Sequence, residues 1–201
     1  MIEKHRYWYF NTLSKKFIND LLLYGKQQEL GDGVIGKNNE PLEKKELYKT
    51  RKSKVAFINE YWINKELTPF INDANINADW KFHLSETEPS QFTYYNSDNS
   101  FYGWHQDSFS EPYENHNVSS LNGKYRKMSS IISLSDKEEY EGGELEFCWI
   151  QEGNYVVHVC KELYKKGAMV VFPSYIFHRV KPITKGERYS LVTWIVGEKF
   201  K

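Results

Sequence analysis

The 201-residue sequence predicts a mainly β protein whose core is a double-stranded β-helix, or jelly roll, buttressed by N-terminal helices. Three observations support this class. Aromatic residues make up 16% of the chain, a content that favours strands over helices. Helical periodicity is confined to the first part of the chain, and from about residue 79 onward short aromatic and β-branched segments follow one another. The strands come after the helices and do not alternate with them, which favours an antiparallel arrangement.

The chain is long enough to form one domain with its own hydrophobic core, and no repeat or linker divides it. We therefore expect a single domain over residues 1–201. Within it, a helical N-terminal part should occupy about 1–78 and the jelly-roll core about 79–198.

Two helices are predicted in the N-terminal part. Ser14 can cap the first one, whose apolar face carries Phe17, Ile18, Leu21 and Leu22. Residues 25–36 are then expected to form a loop. The second helix should run from about Asn59 to Ala74, with Pro69 as a point where it can bend.

Seven later segments have the composition of short strands and are bounded by Asn, Asp, Ser, Gly or Pro. They are Trp80–Leu84, Gln91–Tyr95, Lys127–Leu134, Gly143–Trp149, Tyr155–Val159, Ala168–Phe172 and Arg188–Val196. Glycine-containing turns are expected immediately before two of these strands, at Gly142-Gly143 and at Gly186.

The charge balance excludes a strong general attraction to polyanions. Lys plus Arg and Asp plus Glu are equal at 27 each, so neither a nucleic acid nor a membrane is the expected partner. A basic stretch at 44–54 is interleaved with acidic residues, and we interpret it as a solvated loop. Binding of a nucleic acid or an acidic substrate by this stretch is the alternative.

Cys148 and Cys160 are too few for a disulfide framework, and a reduced intracellular pair is favoured over one disulfide. The N-terminus lacks the apolar core of a signal peptide, and no apolar run approaches membrane-spanning length. A cytoplasmic location is therefore predicted. Abundant Lys, Asn and Ile point to a bacterial or viral origin, and the sequence gives no indication of the oligomeric state.

The most informative pattern is His105-Gln106-Asp107 followed far downstream by His178. This is the composition of a 2-His-1-carboxylate facial triad, which holds Fe(II) and leaves other coordination positions open. On an extended strand, His105 and Asp107 point to the same face. His178 follows the predicted strand Ala168–Phe172 and a turn, where strand ends of a jelly roll can be neighbours. Four other histidines lack such spacing and are interpreted as surface or core residues: His5, His83, His116 and His158.

The last predicted strand carries a candidate anion site. Alternation places Arg188, Ser190, Val192 and Trp194 on one face. A guanidinium and a hydroxyl on one face can together bind both oxygens of a carboxylate. The alternative is that Arg188 pairs with a buried Glu or Asp.

The polar segment Asp107–Lys124 begins at the predicted metal ligand. A long polar loop beside a metal site can act as a lid over substrate, and a surface excursion is the alternative.

These residues together resemble the Fe(II)/2-oxoglutarate-dependent oxygenases of the prolyl 4-hydroxylase type, in particular the bacterial and phage PKHD-type hydroxylases. The resemblance extends from about Gln91 to Val196, roughly half of the chain. The matching segments are Tyr102–Asp107, Glu141–Leu145, Gly167–Ser174, His178–Val180 and Gly186–Ser190.

The resemblance implies that His105, Asp107 and His178 bind Fe(II). It also implies that Arg188 forms a salt bridge with the distal carboxylate of 2-oxoglutarate, with Ser190 as a supporting donor.

Further cosubstrate contacts are implied by position. Tyr95 lies where related hydroxylases place a tyrosine against the cosubstrate, and Tyr94 is the register alternative. Trp194 lies where an aromatic residue flanks the cosubstrate, and a core position is its alternative. Some relatives have a tyrosine near the position of Ser133 that contacts the cosubstrate. The run here is Ile131-Ile132-Ser133-Leu134, without a tyrosine, so that contact is not expected.

The activity implied by the resemblance is hydroxylation of an aliphatic C–H, with 2-oxoglutarate and O₂ as cosubstrates and with succinate and CO₂ released. Peptidyl proline or another amino-acid side chain is the expected target, and ascorbate is left open as a further cofactor. A free amino acid or other small molecule is the first alternative substrate. A nucleic-acid demethylase is disfavoured by the zero net charge, and a non-enzymatic metal-binding jelly roll is disfavoured by the Arg188-x-Ser190 pattern.

Overall fold

The computed structural model describes residues 5–11, 13–34, 49–114 and 118–199. Two long helices lie in this part of the chain, α1 (Lys15–Lys26) and α2 (Tyr61–Asn77). The strands before residue 106 are β1 (Trp8–Phe10), β2 (Gly31–Asp32), β3 (Arg51–Lys52), β4 (Lys54–Ile58), β5 (Leu84–Thr87), β6 (Ser90–Asn96) and β7 (Phe101–His105). Those after it are β8 (Tyr125–Ser133), β9 (Tyr140–Gly142), β10 (Leu145–Gln151), β11 (Asn154–Val159), β12 (Met169–Pro173), β13 (Phe177–Val180) and β14 (Ile183–Gly197).

The strands form two antiparallel sheets. The larger sheet has the order β1-β12-β8-β14-β6-β4-β2, and β5 and β9 also pair with β14. The smaller sheet has the order β11-β10-β13-β7-β3. This arrangement, with helices against one side of the larger sheet, is the jelly roll that the sequence predicts.

Alternate residues of the central strands serve two different cores. On β8, Met128 and Ile132 pack with the apolar faces of the helices, whereas Ile131 packs between the sheets. β12 divides in the same way, with Val171 on the helix side and Val170 between the sheets. Because successive strand residues point to opposite faces, a strand covered on both sides reads as a continuous apolar run.

Both predicted helices are present, with shifted ends. The Ser14 hydroxyl accepts a 3.1 Å hydrogen bond from the backbone N–H of Phe17, so it caps α1 as expected. The predicted loop over 25–36 is present at 27–30 and 33–34, but α1 includes Gly25 and Lys26 and β2 occupies Gly31–Asp32. α2 begins two residues later and ends three residues later than predicted, and it contains Pro69.

One predicted strand is misplaced. Within Trp80–Leu84 only Leu84 belongs to a strand, and β5 continues to Thr87. Asp79 and Lys81 have φ values of 57° and 54°, which a strand does not allow. The Asn75 side chain also bonds both the N–H and the carbonyl of Phe82, at 2.9 Å each, and these bonds replace strand pairing.

The other six predicted strands are present, with ends shifted by a few residues. Four strands before residue 79 were not predicted: β1, β2, β3 and β4. They join β12, β6 and β7, so the N-terminal part contributes to both sheets. β1, β2 and β3 have three residues or fewer, which is too short for the period of two to be recognised, and burial does not alternate along β4.

The interpretation of the basic stretch as a solvated loop is wrong for Arg51. This residue lies on β3 and is only 4% exposed. Its guanidinium donates to the Ser53 hydroxyl at 2.8 Å and to the Val34 carbonyl at 2.9 Å. It also lies 4.5 Å from the centre of the Tyr102 ring. Lys44 and Lys45 lie outside the described residues.

Two smaller predictions concern the cysteines and the polar loop. Cys148 and Cys160 both have free thiols, in agreement with a reduced pair. Residues 115–117 of the predicted lid lie outside the described part, but its flanks are anchored through Tyr113, which is buried and donates its hydroxyl to Glu88.

Among the described residues, none of the helices combines the length and apolar character needed to cross a membrane.

The contact between α1 and β6 gives a test of the packing. An added Cβ at Gly25 would lie 2.2 Å from two ring carbons of Phe92, which is fully buried. We expect Gly25→Ala to lower the free energy of unfolding by about 1–3 kcal/mol, because the ring has no space to move into. Gly31→Ala is the control, since nothing lies within 4 Å of its added Cβ. Equal urea midpoints for the two variants would contradict this packing.

Candidate metal and cosubstrate site

The structure brings the three predicted metal ligands together. His105 and His178 are directly paired residues of β7 and β13, and their ring centres are 4.1 Å apart. Asp107 follows β7, where its backbone N–H donates to the Ser174 carbonyl at 2.9 Å. Its two carboxylate oxygens lie 3.7 Å from Nε2 of His105 and 3.6 Å from Nε2 of His178. Ligand atoms from all three residues lie within 4.8 Å of one another.

Hydrogen bonds determine which ring nitrogens face the site. Nδ1 of His105 lies 2.8 Å from the Gly103 carbonyl, and Nδ1 of His178 lies 3.0 Å from the Ile176 carbonyl. A carbonyl oxygen can only accept, so both Nδ1 atoms carry hydrogen. In the neutral ring, Nε2 is then the nitrogen with the lone pair, and in both histidines it faces Asp107, as metal ligation requires.

The electrostatics of the site favour the same protonation states. Burial, and after it the neighbouring His178, lower the pKa of His105 to about 3, so its imidazole is neutral at physiological pH. Burial alone would raise the pKa of Asp107, but the two histidines, Arg126 and the Ser129 hydroxyl outweigh it and keep this pKa below its usual value. The carboxylate is therefore ionised.

These donors fit a divalent first-row metal. Two neutral imidazole nitrogens and one carboxylate oxygen converge from one side, which is the ligand set typical of non-haem Fe(II) sites. Over the residues that the structure describes, this is the one group of three or more His, Cys, Asp or Glu that could hold a metal ion. His158 instead bonds the Tyr7 hydroxyl at 2.9 Å, His5 and His83 are exposed, and His116 lies outside the described residues.

A pocket adjoins the three residues and lies between the two sheets. The predicted face of β14 lines it, with Arg188, Ser190, Val192 and Trp194 all at its wall. Both predicted groups of functional residues therefore border one cavity.

Arg188 is the charged residue at the inner wall of this pocket. It is 2% exposed, its Nη1 donates to the Ser190 hydroxyl at 3.3 Å, and its guanidinium lies 5.4 Å from the centre of the Tyr95 ring. No carboxylate of the described residues lies within ion-pair distance of it, so the alternative of a buried acidic partner finds no support there.

A glycine gives the Arg188 side chain its space. Gly143 has a φ of 66°, and an added Cβ would lie 2.1 Å from Ile183 and 3.2 Å from Cδ of Arg188. A side chain at position 143 would therefore press on both Ile183 and Arg188.

The structure shows which of the two neighbouring tyrosines faces the pocket. Tyr95 is the direct partner of Arg188 across β6 and β14, it is buried, and it lines the pocket. Burial raises its pKa, so the hydroxyl keeps its proton and can donate. Tyr94 points to the other face, where its hydroxyl donates to Glu187 at 2.7 Å. The Ser133 hydroxyl donates a hydrogen bond to the nearby Ser135 carbonyl, at 2.8 Å.

Several pocket residues were not predicted. Tyr102 stacks on the His105 ring with centres 3.5 Å apart, and Gln91 lines the wall beside Val192. Outside the pocket lining, Arg126 lies 4.0 Å from the centre of the Trp194 ring and donates two hydrogen bonds to Glu88, at 2.8 and 2.7 Å.

Tyr102 lies three residues before His105, and regular alternation would place the two side chains on opposite faces. The pairing of β7 with β13 is irregular between His178 and Val180, so the strand period could not have indicated the stacking. The Arg126–Glu88 pair joins residues 38 positions apart, so no local pattern marks it.

Comparison with known proteins identifies the family. Residues 90–196 match the model of the 2OG-Fe(II) oxygenase superfamily. A PKHD-type hydroxylase of Acidovorax ebreus is 36% identical over 111 residues, which cover 53% of this chain and 42% of that protein. One from Cupriavidus metallidurans is 44% identical over 68 residues, covering 34% of this chain and 27% of that protein. The chain thus spans less than half the length of these curated relatives.

Solved structures share the fold. A prolyl-4-hydroxylase of Pseudomonas putida superposes with a TM-score of 0.66 at 20% identity, covering 98% of this chain and 94% of that one. The viral collagen prolyl hydroxylase of Paramecium Bursaria Chlorella virus-1, in its 2OG complex, gives 0.59 at 17% identity, covering 96% and 97%. A prolyl hydroxylase from Trichoplax adhaerens, in complex with a peptide fragment of hypoxia inducible factor, also gives 0.59, at 16% identity and covering 94% and 83%. The matched range contains His105, Asp107, His178 and Arg188, and the chain belongs to the 2OG-Fe(II) oxygenase superfamily.

Proposed function

We propose that this protein is an Fe(II)- and 2-oxoglutarate-dependent dioxygenase that hydroxylates an aliphatic C–H of a peptidyl proline or another amino-acid side chain. The observation that carries the proposal is the buried Arg188 without an acidic partner among the described residues, in the same pocket as two histidines and an aspartate with metal-ligand spacing. A purely structural metal site has no use for a carboxylate-binding guanidinium beside it.

Each side chain has a role in this proposal. His105, Asp107 and His178 would hold the iron through the two Nε2 atoms and the carboxylate. Bound Fe(II) supplies, with 2-oxoglutarate and O₂, the oxidation of C–H to C–OH while succinate and CO₂ are released. Arg188 would bind the distal carboxylate of 2-oxoglutarate, with the Ser190 hydroxyl as a second donor.

The aromatic residues would orient the cosubstrate and exclude water. The protonated Tyr95 hydroxyl can donate to 2-oxoglutarate from beside Arg188. Trp194 would flank it with an indole that is buried in the pocket wall. Surrounding the cosubstrate carboxylate with buried side chains strengthens its ion pair with the guanidinium, because water screens the charges less there.

The substrate assignment rests on the relatives. Structural neighbours include prolyl hydroxylases, one of them in complex with a peptide, and the similar curated proteins are PKHD-type hydroxylases. A cytoplasmic location and ascorbate as an auxiliary reductant belong to the same proposal, and assays with and without ascorbate test the latter.

The most direct test of the activity measures succinate formed from 2-oxoglutarate under Fe(II), with proline-rich peptides and free amino acids as candidate substrates. We expect one class to stimulate succinate formation and to gain the mass of one oxygen atom. Stimulation by free amino acids alone would contradict the peptide assignment while leaving the reaction class intact. Absence of any succinate from the wild-type protein would contradict the reaction class.

Loss of a metal ligand should abolish this turnover. We expect His105→Ala and Asp107→Ala to form no succinate, because each leaves only two of the three protein donors. Their circular dichroism spectra should match the wild type, since a change of side chain leaves the backbone pairing of His105 with His178 and the bond from the Asp107 N–H to Ser174 in place. Succinate formation at the wild-type rate by either variant would remove that residue from the site.

The arginine should determine affinity for the cosubstrate. We expect Arg188→Ala to weaken 2-oxoglutarate binding by about 2–5 kcal/mol, the usual loss when one partner of a buried charge pair is removed. Anaerobic calorimetry on the metal-loaded protein measures this. Lys185→Ala is the control, because it removes an exposed cation from the same strand, paired only with Glu141. Equal losses in the two variants would indicate a general charge effect.

The two neighbouring tyrosines offer a matched pair. We expect Tyr95→Phe to raise the 2-oxoglutarate KM by roughly two- to tenfold, which corresponds to one net hydrogen bond of about 0.5–1.5 kcal/mol. Tyr94→Phe should leave that KM unchanged, since its hydroxyl bonds Glu187 on the opposite face of the strand. A larger increase in KM for Tyr94→Phe than for Tyr95→Phe would show that Tyr94, and not Tyr95, contacts the cosubstrate.

A further inference from the structure

A pair of buried serines lies behind the carboxylate of Asp107. The Ser129 hydroxyl is 2.7 Å from Oδ2 of Asp107, and the same hydroxyl is 2.9 Å from the hydroxyl of Ser174. Both serines are fully buried. Ser129 lies on β8 as the direct partner of Trp194 on β14, so it faces the pocket from the larger sheet.

The direction of these bonds follows from the number of protons. The ionised Asp107 carboxylate can only accept, so the Ser129 hydroxyl must donate to it. The single proton of Ser129 is then used, and the Ser174 hydroxyl must donate to Ser129 Oγ. The chain Ser174 to Ser129 to Asp107 is therefore ordered in one direction, an arrangement in which each bond polarises the next.

The far end of this chain is fixed to the backbone. The Ser174 N–H donates to the Lys127 carbonyl at 3.0 Å, and the Ser174 carbonyl accepts from the N–H groups of Asp107 and Ser108 at 2.9 and 3.0 Å. Ser174 thus links the turn before β13, strand β8 and the segment that carries Asp107. Both the backbone and the side chain of the aspartate depend on it.

We propose that Ser129, held by Ser174, is a positioning residue that fixes the Asp107 carboxylate in the orientation needed for metal binding. The inference rests on the proposed function, because it concerns the same three metal ligands. Without the Ser129 donor, the carboxylate could rotate about its Cβ–Cγ bond and pair with either neighbouring histidine. Hydrogen-bond partners of metal ligands typically contribute about 10- to 100-fold to metal affinity.

The neighbouring Ser130 separates this role from a general need for serine in β8. Its hydroxyl is buried and finds no hydrogen-bond partner among the described residues. It lies on the opposite face of the strand, next to Thr193 in register. The strand therefore tolerates a buried serine hydroxyl that bonds nothing there, and Ser130→Ala serves as the control for loss of a buried hydroxyl from β8.

The experiment compares binding of Mn(II) alone, by calorimetry without 2-oxoglutarate, in the wild type and in Ser129→Ala, Ser174→Ala and Ser130→Ala. We expect Ser129→Ala to weaken binding by roughly 10- to 100-fold. Ser174→Ala should weaken it less, because Ser129 can still donate, and Ser130→Ala should leave it unchanged. Melting temperatures with and without Mn(II) provide a second readout, since the metal-induced increase should shrink only in the first two variants.

Two outcomes would overturn the inference. If the wild type binds Mn(II) and Ser129→Ala binds it within twofold of the wild type, the hydroxyl does not position the ligand. If Ser130→Ala weakens binding as much as Ser129→Ala does, the effect belongs to the strand and not to the contact. Should Ser129→Ala fail to fold, Ser174→Ala against Ser130→Ala decides by the same criteria. Failure of the wild type itself to bind Mn(II) would instead remove the metal site on which the proposed function depends.

Discussion

The constraint on which the site depends is a buried positive charge that lacks a negative partner in the described protein. Arg188 is almost fully enclosed between the sheets and bonds only the Ser190 hydroxyl among the described residues. Enclosing a guanidinium in this way is costly unless an anion compensates it. The pocket between Arg188 and the histidine–aspartate cluster gives such an anion a place, and 2-oxoglutarate has a carboxylate for each end. In the proposed function, a carboxylate of the bound cosubstrate would compensate the buried charge of Arg188, and this would favour binding.

Two registers bring the charge and the metal ligands together. Pairing of His105 with His178 on the smaller sheet and of Arg188 with Tyr95 on the larger one sets the two walls. Since a shift of one residue in either sheet would turn these side chains to the opposite face, the site and the core depend on the same registers. The serine pair behind Asp107 adds a third link, because it connects the metal ligand to β8 of the opposite sheet.

The parts of the site that follow from local periodicity could be predicted from the sequence. His105 and Asp107 share a face because they are two residues apart, and the pocket face of β14 follows from alternation starting at Arg188. Contacts that depend on which strands become neighbours could not be predicted. Arg51 was interpreted as solvated because acidic residues are interleaved with the basic stretch, and its burial results from the pairing of β3 with β7. The strand predicted just after α2 is wrong for another reason. Two residues with positive φ and the hydrogen bonds of the Asn75 side chain prevent strand pairing there, although the segment has the apolar composition of a strand.

The central claim is that Arg188 and the metal ligands form one site for a chelating dicarboxylate. Its most direct test is calorimetric titration of 2-oxoglutarate under anaerobic conditions, first into the protein loaded with Fe(II) and then into the metal-free protein. We predict saturable 1:1 binding to the loaded protein and binding at least tenfold weaker without the metal, because only the loaded site can bind both ends of the ligand. Equal affinity in the two forms, or no binding in either, would contradict the claim.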